Sequence, residues 1–244
     1  MNVSLYQAAA AMTANARWQE VVAGNLAASA QPGFKRQEVT FSAIAAGQST
    51  VGGTAYALPK ASVGTSFRPG ELRPTSVPTD LALEGKGFFA VRLPDGNEAY
   101  TRDGEFHVNS DGALVTKQGY PVMGDSGPIQ LDRNSGAPLT ISLDGEVRQG
   151  ADLKGKLKAV DFNNTDLLSP AGGGNFLAND PAIQPVLLDA PVIRQGFLES
   201  ANTSSVMEMA GLISAMRAFE SSQKVVQTQD ERMSKAIQEL ANPN

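Results

Sequence analysis

The sequence predicts an α+β fold, mainly β, in which an antiparallel β domain is inserted between N- and C-terminal helices that form a discontinuous coiled-coil-like domain. Two observations predict it. Both chain ends carry apolar residues at alternating steps of three and four, which is the spacing of a narrow helical seam. The middle of the chain instead carries short apolar runs separated by Asp-Gly and Pro-containing turns, as antiparallel strands do.

The C-terminal stretch, 205–240, carries the stronger seam. A helix over this stretch is roughly 54 Å long and cannot bury its seam on itself, so it needs a partner helix. Ser205 and Glu208 have capping-box spacing at its start, and Asn242-Pro243 should end it. Eight of the ten seam positions are apolar, the exceptions being Gln223 and Asp230: Met209, Leu212, Met216, Phe219, Gln223, Val226, Asp230, Met233, Ile237 and Leu240.

The N-terminal stretch repeats this spacing with smaller side chains, which would let a facing helix approach closely. The first half of the C-terminal seam, Met209 to Phe219, supplies the bulk that these alanines lack and is expected to pair with them. Trp18 widens the apolar face, and Gln31-Pro32-Gly33 should end the helix. An ordinary amphipathic helix on a globular core is the alternative. The seam positions are Leu5, Ala9, Met12, Ala16, Gln19, Ala23 and Leu26.

Four segments follow: an N-terminal helix with its loop (1–36), a connector (37–78), the β domain (79–190), and a last strand with the long helix (191–244). In the connector we expect a short helix at 40–46 and extended segments over 62–75 with a turn at Pro69-Gly70. Strands are predicted at 81–83, 88–93, 98–101, 105–108, 113–116, 121–123, 129–131, 139–143, 147–148, 157–162 and 192–198.

Composition excludes several classes of function. The chain has no cysteine, so disulfides, thiol nucleophiles and thiolate metal sites are excluded. A net charge of −5 without a basic block argues against nucleic acid as a partner. No apolar run reaches the length of a membrane-spanning helix. The uncharged start lacks the basic residues and apolar core of a signal peptide, so we expect no cleaved signal.

No catalytic, cofactor or metal site is predicted. His107 alternates with Phe106 and Val108, which places it on the solvent face of a strand. The Asp-Gly pairs lack the ligand series of a calcium loop and are better explained as hairpin turns. We therefore expect neither an enzyme nor a small-molecule substrate.

Three separated motifs resemble those of the bacterial flagellar axial proteins, the rod and hook family. The first is Asn25-Leu26-Ala27 followed by Pro32-Gly33-Phe34-Lys35-Arg36-Gln37. The second runs from Thr79 to Phe89 and continues at 100–106. The third, Gln195-Gly196-Phe197-Leu198-Glu199-Ser200-Ala201-Asn202, leads into the C-terminal helix. The chain departs from the family pattern at Ala28 and Gln31, where Asn and Thr are usual.

The resemblance implies a structural subunit of the flagellar basal-body rod, most like the proximal rod protein, with the distal rod or a hook-type protein as the alternative. Such proteins polymerise helically, line the export channel with their terminal helices and transmit torque. They cross the envelope through the flagellar type III export apparatus without a cleaved signal. Partners would be further copies and other rod proteins, the export apparatus, and the MS ring and hook-side axial proteins at either end.

Assembly contacts are then expected on the helical seams and at the joint between helices and β domain. A cell-envelope glycan-binding β module is the competing function, which would need an exposed aromatic cluster or a polar cleft. The expected assembly residues are Leu5, Met12, Trp18, Asn25, Leu26, Gly33, Phe34, Lys35, Gly196, Glu199, Asn202, Met209, Leu212, Met216, Phe219, Val226, Asp230, Met233, Ile237 and Leu240.

Overall fold

A computed structural model describes residues 3–46 and 56–241. The chain forms two compact units. Unit 1 comprises Met1–Ala27, Gln37–Ser66 and Ser204–Asn244, and unit 2 comprises Ala28–Arg36 and Phe67–Thr203. Long helices from both chain ends pack together in the first unit, and antiparallel strands lie between them in the sequence, so the predicted fold class is confirmed.

The two helices of unit 1 are α1 (Val3–Ala28) and α2 (Ser205–Ala241), and they run antiparallel. The amide of Asn15 donates to the Ser222 hydroxyl at 3.2 Å, and that of Gln19 donates to the Ala215 carbonyl at 3.3 Å. Residues nearer the C-terminus of α1 therefore contact residues nearer the N-terminus of α2, as in an antiparallel pair. Helix α2 begins and ends within one residue of the predicted bounds, and α1 ends before Gln31-Pro32-Gly33 as predicted.

The cap of α2 differs from the predicted capping box. The hydroxyl of Ser204, rather than Ser205, accepts from the amide of Met207 at 3.3 Å. Glu208 is 1% exposed, and its carboxylate accepts from the Asn25 side chain at 3.4 Å. The predicted box was wrong because Ser204, which precedes the helix, is the capping residue, whereas Ser205 is the first residue of α2.

A long hairpin replaces the predicted helix at 40–46, which was wrong. Strands β1 (Gln37–Ala46) and β2 (Tyr56–Thr65) pair antiparallel from Gln37 opposite Thr65 to Ala46 opposite Tyr56. Val39 and Phe41 alternate with Thr40 and Ser42, and this period of two overrides the helical preference of the alanines. Phe41 packs edge-to-face on Trp18 with ring centroids 5.9 Å apart.

Short strands make up most of unit 2. The first half contains β3 (Leu72–Pro74), β4 (Leu81–Glu84), β5 (Phe88–Arg92), β6 (Glu98–Thr101), β7 (Phe106–Val108), β8 (Leu114–Thr116), β9 (Met123–Gly124), β10 (Gly127–Pro128) and β11 (Leu139–Ile141). The second contains β12 (Glu146–Gln149), β13 (Asp152–Lys156), β14 (Ala159–Phe162), a 3-10 turn (Thr165–Leu167), β15 (Ser169–Gly172), β16 (Asn175–Leu177), β17 (Pro185–Leu187), β18 (Val192–Gln195) and β19 (Phe197–Glu199).

A six-stranded antiparallel sheet of order β15-β16-β6-β5-β14-β17 organises unit 2. Successive residues of a strand point to opposite faces, and both Phe88 and Phe89 are buried, so both faces of this sheet are covered. One core lies around Phe89, Leu114 and Ile193, and the other around Phe88, Tyr100, Phe162 and Phe176.

Two strand predictions need correction, and some strands of unit 2 were not predicted. The stretch 129–131 is not a strand, although Ile129 and Leu131 bond through their backbones to neighbouring segments. The predicted strand 192–198 is two strands, because Gly196, at φ 77°, interrupts it. Five strands of unit 2 were not predicted, namely β10, β13, β15, β16 and β17. The stretch 152–156 has no apolar alternation, and the stretches around 170 and 186 are rich in Pro and Gly.

Candidate assembly surfaces

A buried carboxylate, Glu199, lies at the end of β19 and collects three donors within unit 2. It accepts from the Lys35 ammonium at 2.6 Å, from the Arg102 guanidinium at 3.2 Å and from the Gly70 amide at 2.7 Å. The side chains of the two cations are 1% and 5% exposed. We call Lys35, Arg102 and Glu199 the joint cluster, since it ties together three segments far apart in sequence.

The remaining donors of the joint cluster reach backbone carbonyls. The Arg102 guanidinium donates to Leu83 at 3.1 Å and to Gly85 at 2.5 Å, and it lies 5.5 Å from the centroid of the Phe88 ring. The Lys35 ammonium donates to the Arg68 carbonyl at 3.0 Å. Buried charges are tolerated only when paired and hydrogen-bonded in this way.

Burial dominates the electrostatics of the cluster. It lowers the pKa of both Lys35 and Arg102, and the adjacent Glu199 carboxylate partly opposes that effect. Separating the segments would leave at least one uncompensated charge in the interior, which is strongly unfavourable. The cluster therefore fixes the loop 31–36 against β19 and against the end of β6.

Two glycines allow the backbones to meet at the joint. Gly33 has φ 65°, and a Cβ there would lie 2.2 Å from the Arg102 carbonyl carbon. A Cβ on Gly70 would lie 1.9 Å from the Ser200 carbonyl oxygen. The Gly33 amide donates to the Glu199 carbonyl at 2.7 Å, so this approach is itself hydrogen-bonded.

Asn202 closes the joint on the side of the third motif. Its side-chain oxygen accepts from the Arg36 amide at 2.6 Å, and its amide group donates to the Arg68 carbonyl at 3.0 Å. Its backbone amide donates to the Phe34 carbonyl at 3.3 Å. Gly33, Phe34, Lys35, Glu199 and Asn202, which the sequence places in two distant motifs, therefore meet within unit 2.

Asp103 is a second buried carboxyl group in this region. Burial raises its pKa to about 6, although the Glu105 amide and the Gln31 side chain donate to it. Sequence reasoning explained Asp103-Gly104 as a hairpin turn. The residue is instead only 9% exposed, and Gly104 does not adopt positive φ.

The predicted seam of α1 is only partly buried. Leu5, Met12, Trp18 and Leu26 are half-buried, while Ala9, Ala16 and Ala23 are exposed. Asn25 is 1% exposed, and its side chain also bonds both backbone groups of Gln37, at 2.8 and 2.9 Å. The buried apolar residues of α1 are Ala8, Ala14, Val21 and Val22.

The contact face of α2 lies about one position before the predicted seam. Glu208 and Ala215 are 1% and 0% exposed, and a Cβ on Gly211 would lie 3.5 Å from Val22. Leu212, Phe219 and Val226 are half-buried, whereas Met209, Met216, Asp230, Met233 and Ile237 are exposed. The helix includes Leu240, but its side chain lies outside the described residues. This face consists largely of small and polar residues, which show no apolar periodicity, so the sequence pattern did not predict it.

The residues considered for other functions lie where the sequence placed them. His107 is exposed on β7. Tyr100 and Phe106 are 4% and 3% exposed, so both rings belong to the core. The aromatic platform that glycan binding would need is therefore not formed by these two rings.

Two family models match parts of the chain. Residues 82–149 match the model described as flagellar hook protein FlgE/F/G D1 domain, and residues 194–239 match that described as flagellar basal body rod FlgEFG protein C-terminal. The matched segments contain Arg102 and Glu199 of the joint cluster and most of α2.

Relatives extend the similarity along the whole chain. The flagellar basal-body rod protein FlgF of Escherichia coli is 32% identical over 99% of both chains. FlgF of Caulobacter vibrioides is 32% identical over all of both chains. The rod protein FlgG of Buchnera aphidicola from Acyrthosiphon pisum is 31% identical over 89% of this chain and 92% of its own.

Fold, joint and terminal helices together define a structural subunit of a bacterial axial assembly. The chain belongs to the flagellar basal-body rod protein family, FlgF/FlgG. It is a structural protein of the rod rather than an enzyme. Among the described residues no helix has the length and apolarity to cross a membrane.

Proposed function

We infer that this chain is the proximal-rod subunit of the flagellum. The observation that carries this choice is the extent of alignment. FlgF relatives from four organisms match this chain over at least 99% of both partners, whereas FlgG of Buchnera covers 89% of this chain. The distal rod subunit is the second candidate, because FlgG relatives reach nearly the same identity.

In the rod, the chain polymerises helically through its terminal helices. An open helical polymer needs heterologous contacts, in which one face of a subunit meets a different face of the next. The exposed apolar side chains of α2, among them Met209, Met216 and Ile237, support this role because the described residues of their own unit leave them about half or more exposed. The polar seam positions Gln223 and Asp230 suit contacts to other subunits or to the channel.

Torque passes along such a polymer only if each subunit is stiff. The joint cluster supports this part of the proposal, since buried, fully hydrogen-bonded ion pairs hold distant segments of unit 2 in one arrangement. The proposed partners are further copies, neighbouring rod proteins, the type III export apparatus, and the MS ring and hook-side axial proteins. Export without a cleaved signal is part of the same proposal.

Deleting the gene and analysing purified basal bodies tests the function. The proximal-rod assignment predicts that the deletion strain is non-motile and lacks completed rods, and that the full-length chain restores both. Quantitative mass spectrometry should find this chain in wild-type basal bodies in fewer copies than the distal rod protein. Complete rods in the deletion strain would contradict the function, and a copy number above the distal protein's would contradict the proximal assignment.

A further inference from the structure

We propose that the outer face of α2 in one copy packs antiparallel on the outer face of α1 in a second copy of this chain. This rests on the proposed function, and it deepens it by naming the two faces that meet. The outer face of α2 is Val206, Met209, Ile213 and Met216. The outer face of α1 is Ala9, Thr13, Ala16, Glu20, Ala23 and Ala27.

The outer face of α2 is apolar and uncovered. Its four side chains are 74%, 49%, 54% and 48% exposed. At about 100° per residue they lie on the side of the helix opposite Glu208 and Ala215, which contact α1 of the same chain. The intramolecular pair of helices therefore leaves these four apolar side chains about half or more exposed to water.

The outer face of α1 has the complementary shape. Its members recur at steps of four and three and are all exposed, and all but one are Ala or Thr. Small side chains let a facing helix approach closely, and branched or long apolar side chains then fill the space between the helices. The outer face of α1, like that of α2, lies away from the contacts between α1 and α2 within one chain. Each copy therefore offers one face to the copy before it and the other face to the copy after it.

The charged residues at the two outer faces favour a second copy of this chain as the partner, with its helix antiparallel. Arg17 and Glu20 form an exposed ion pair with each other on α1, and Arg217 and Glu220 repeat the same order and spacing on α2. In an antiparallel pair Arg17 meets Glu220 while Glu20 meets Arg217, whereas a parallel pair would oppose like charges. At this offset Ile213 lies opposite Gly24 and beside Ala23. The offset repeats the intramolecular one, in which Asn15 bonds Ser222.

Cysteine cross-linking tests the contact directly, because the chain has no cysteine of its own. Full-length chains carrying A23C together with I213C are expressed in place of the native copy, and isolated basal bodies are oxidised with copper phenanthroline. The expected product is a ladder of covalent dimers, trimers and higher species. A matched pair on the intramolecular face, Q19C with A215C, should give an internally linked monomer. A ladder absent from rods that have formed would overturn the proposal, as would dimers from I213C alone.

Charge reversal supplies a second readout. R217E/E220R should give roughly tenfold fewer rods per cell because it opposes like charges across the contact, and adding R17E/E20R should restore them. The matched control E231K/K235E reverses charges further along α2 and should leave rod number unchanged. Wild-type rod numbers with R217E/E220R, or no rescue, would overturn the contact while leaving the proposed function standing. Failure of the wild-type chain to enter rods would instead overturn the proposed function.

Discussion

At the scale of single residues, the joint cluster gathers two buried cations around one buried carboxylate. Glu199 serves two buried cations and a backbone amide, so each partner depends on the same carboxylate. Sequence reasoning placed Lys35 and Glu199 at a joint only through resemblance to a family. It did not assign Arg102 there, because an Arg beside a turn carries no sign of burial.

Glu199→Gln should destabilise unit 2 by about 3–5 kcal/mol, because it leaves Lys35 and Arg102 buried without a counter-charge. Urea denaturation followed through the amide resonances of unit 2 measures this. The control Glu84→Gln breaks the ion pair between Glu84 and Arg194, whose side chains are 48% and 45% exposed respectively. Because this pair is exposed to solvent, its loss should cost under about 1 kcal/mol. Equal effects of the two substitutions would contradict the role assigned to the cluster.

Asp103 should make unit 2 less stable as pH rises from about 4 to about 6. Burial raises the folded-state pKa to about 6 from an ordinary 3.8, so the folded state binds the proton more tightly and loses that advantage as the group ionises. Asp103→Asn should therefore stabilise unit 2 by about 1–3 kcal/mol at pH 8 and by little below pH 4.

Denaturation midpoints measured across this pH range test the Asp103 prediction. Asp95→Asn is the control, since the Asp95 carboxylate likewise accepts from the amide two residues on but lies in an exposed turn. A stability difference between Asp103→Asn and the wild type that does not change with pH would refute the prediction.

At the scale of elements, the helices were predictable and their faces were not. Periodicity identified both α1 and α2 as helices, because apolar residues at steps of three and four indicate a helix directly. The same apolar pattern pointed to Met209 and Met216 as partners of α1, but both are about half exposed. Pairing instead uses Gly211, Ala215 and Ser222, where small and polar residues permit close approach.

Ala215→Leu should push α1 and α2 apart and destabilise unit 1 by about 1–3 kcal/mol, since the Ala215 site is fully buried. The fluorescence of Trp18, the one tryptophan of the chain, reports unit 1 during thermal or urea unfolding. Ile213→Leu, on the exposed side of the same helix, should change stability by less than about 0.5 kcal/mol. A larger loss for Ile213→Leu than for Ala215→Leu would contradict the assigned faces.

The β1–β2 hairpin shows why the connector was misread. Its strands have few large apolar residues and contain Ala and Gly, so neither resembles a strand alone. Their pairing over ten residues and the contact between Phe41 and Trp18 are tertiary features, which single-segment propensity does not contain. Strands β5 and β6, by contrast, were predicted well because aromatic and β-branched runs flank a clear turn.

At the scale of the whole molecule, the order of elements was predictable, whereas the unit to which the connector and the loop 28–36 belong was not. Helical seams at both chain ends and short strands between them predict the α+β fold class. Residues 37–66 join the terminal helices in unit 1, whereas the loop 28–36 belongs to unit 2. Those assignments depend on contacts between distant segments, such as Asn25 with Gln37 and Lys35 with Glu199.

Incorporation of a chain lacking residues 1–30 and 209–244 into rods tests the central claim, assembly through the terminal helices, most directly. The shortened chain is expressed in the deletion strain, its strand content is checked by circular dichroism, and isolated basal bodies are assayed for it beside the full-length chain. The account predicts a folded β region that is absent from basal bodies and restores no motility. Incorporation of the shortened chain at the full-length level would contradict it.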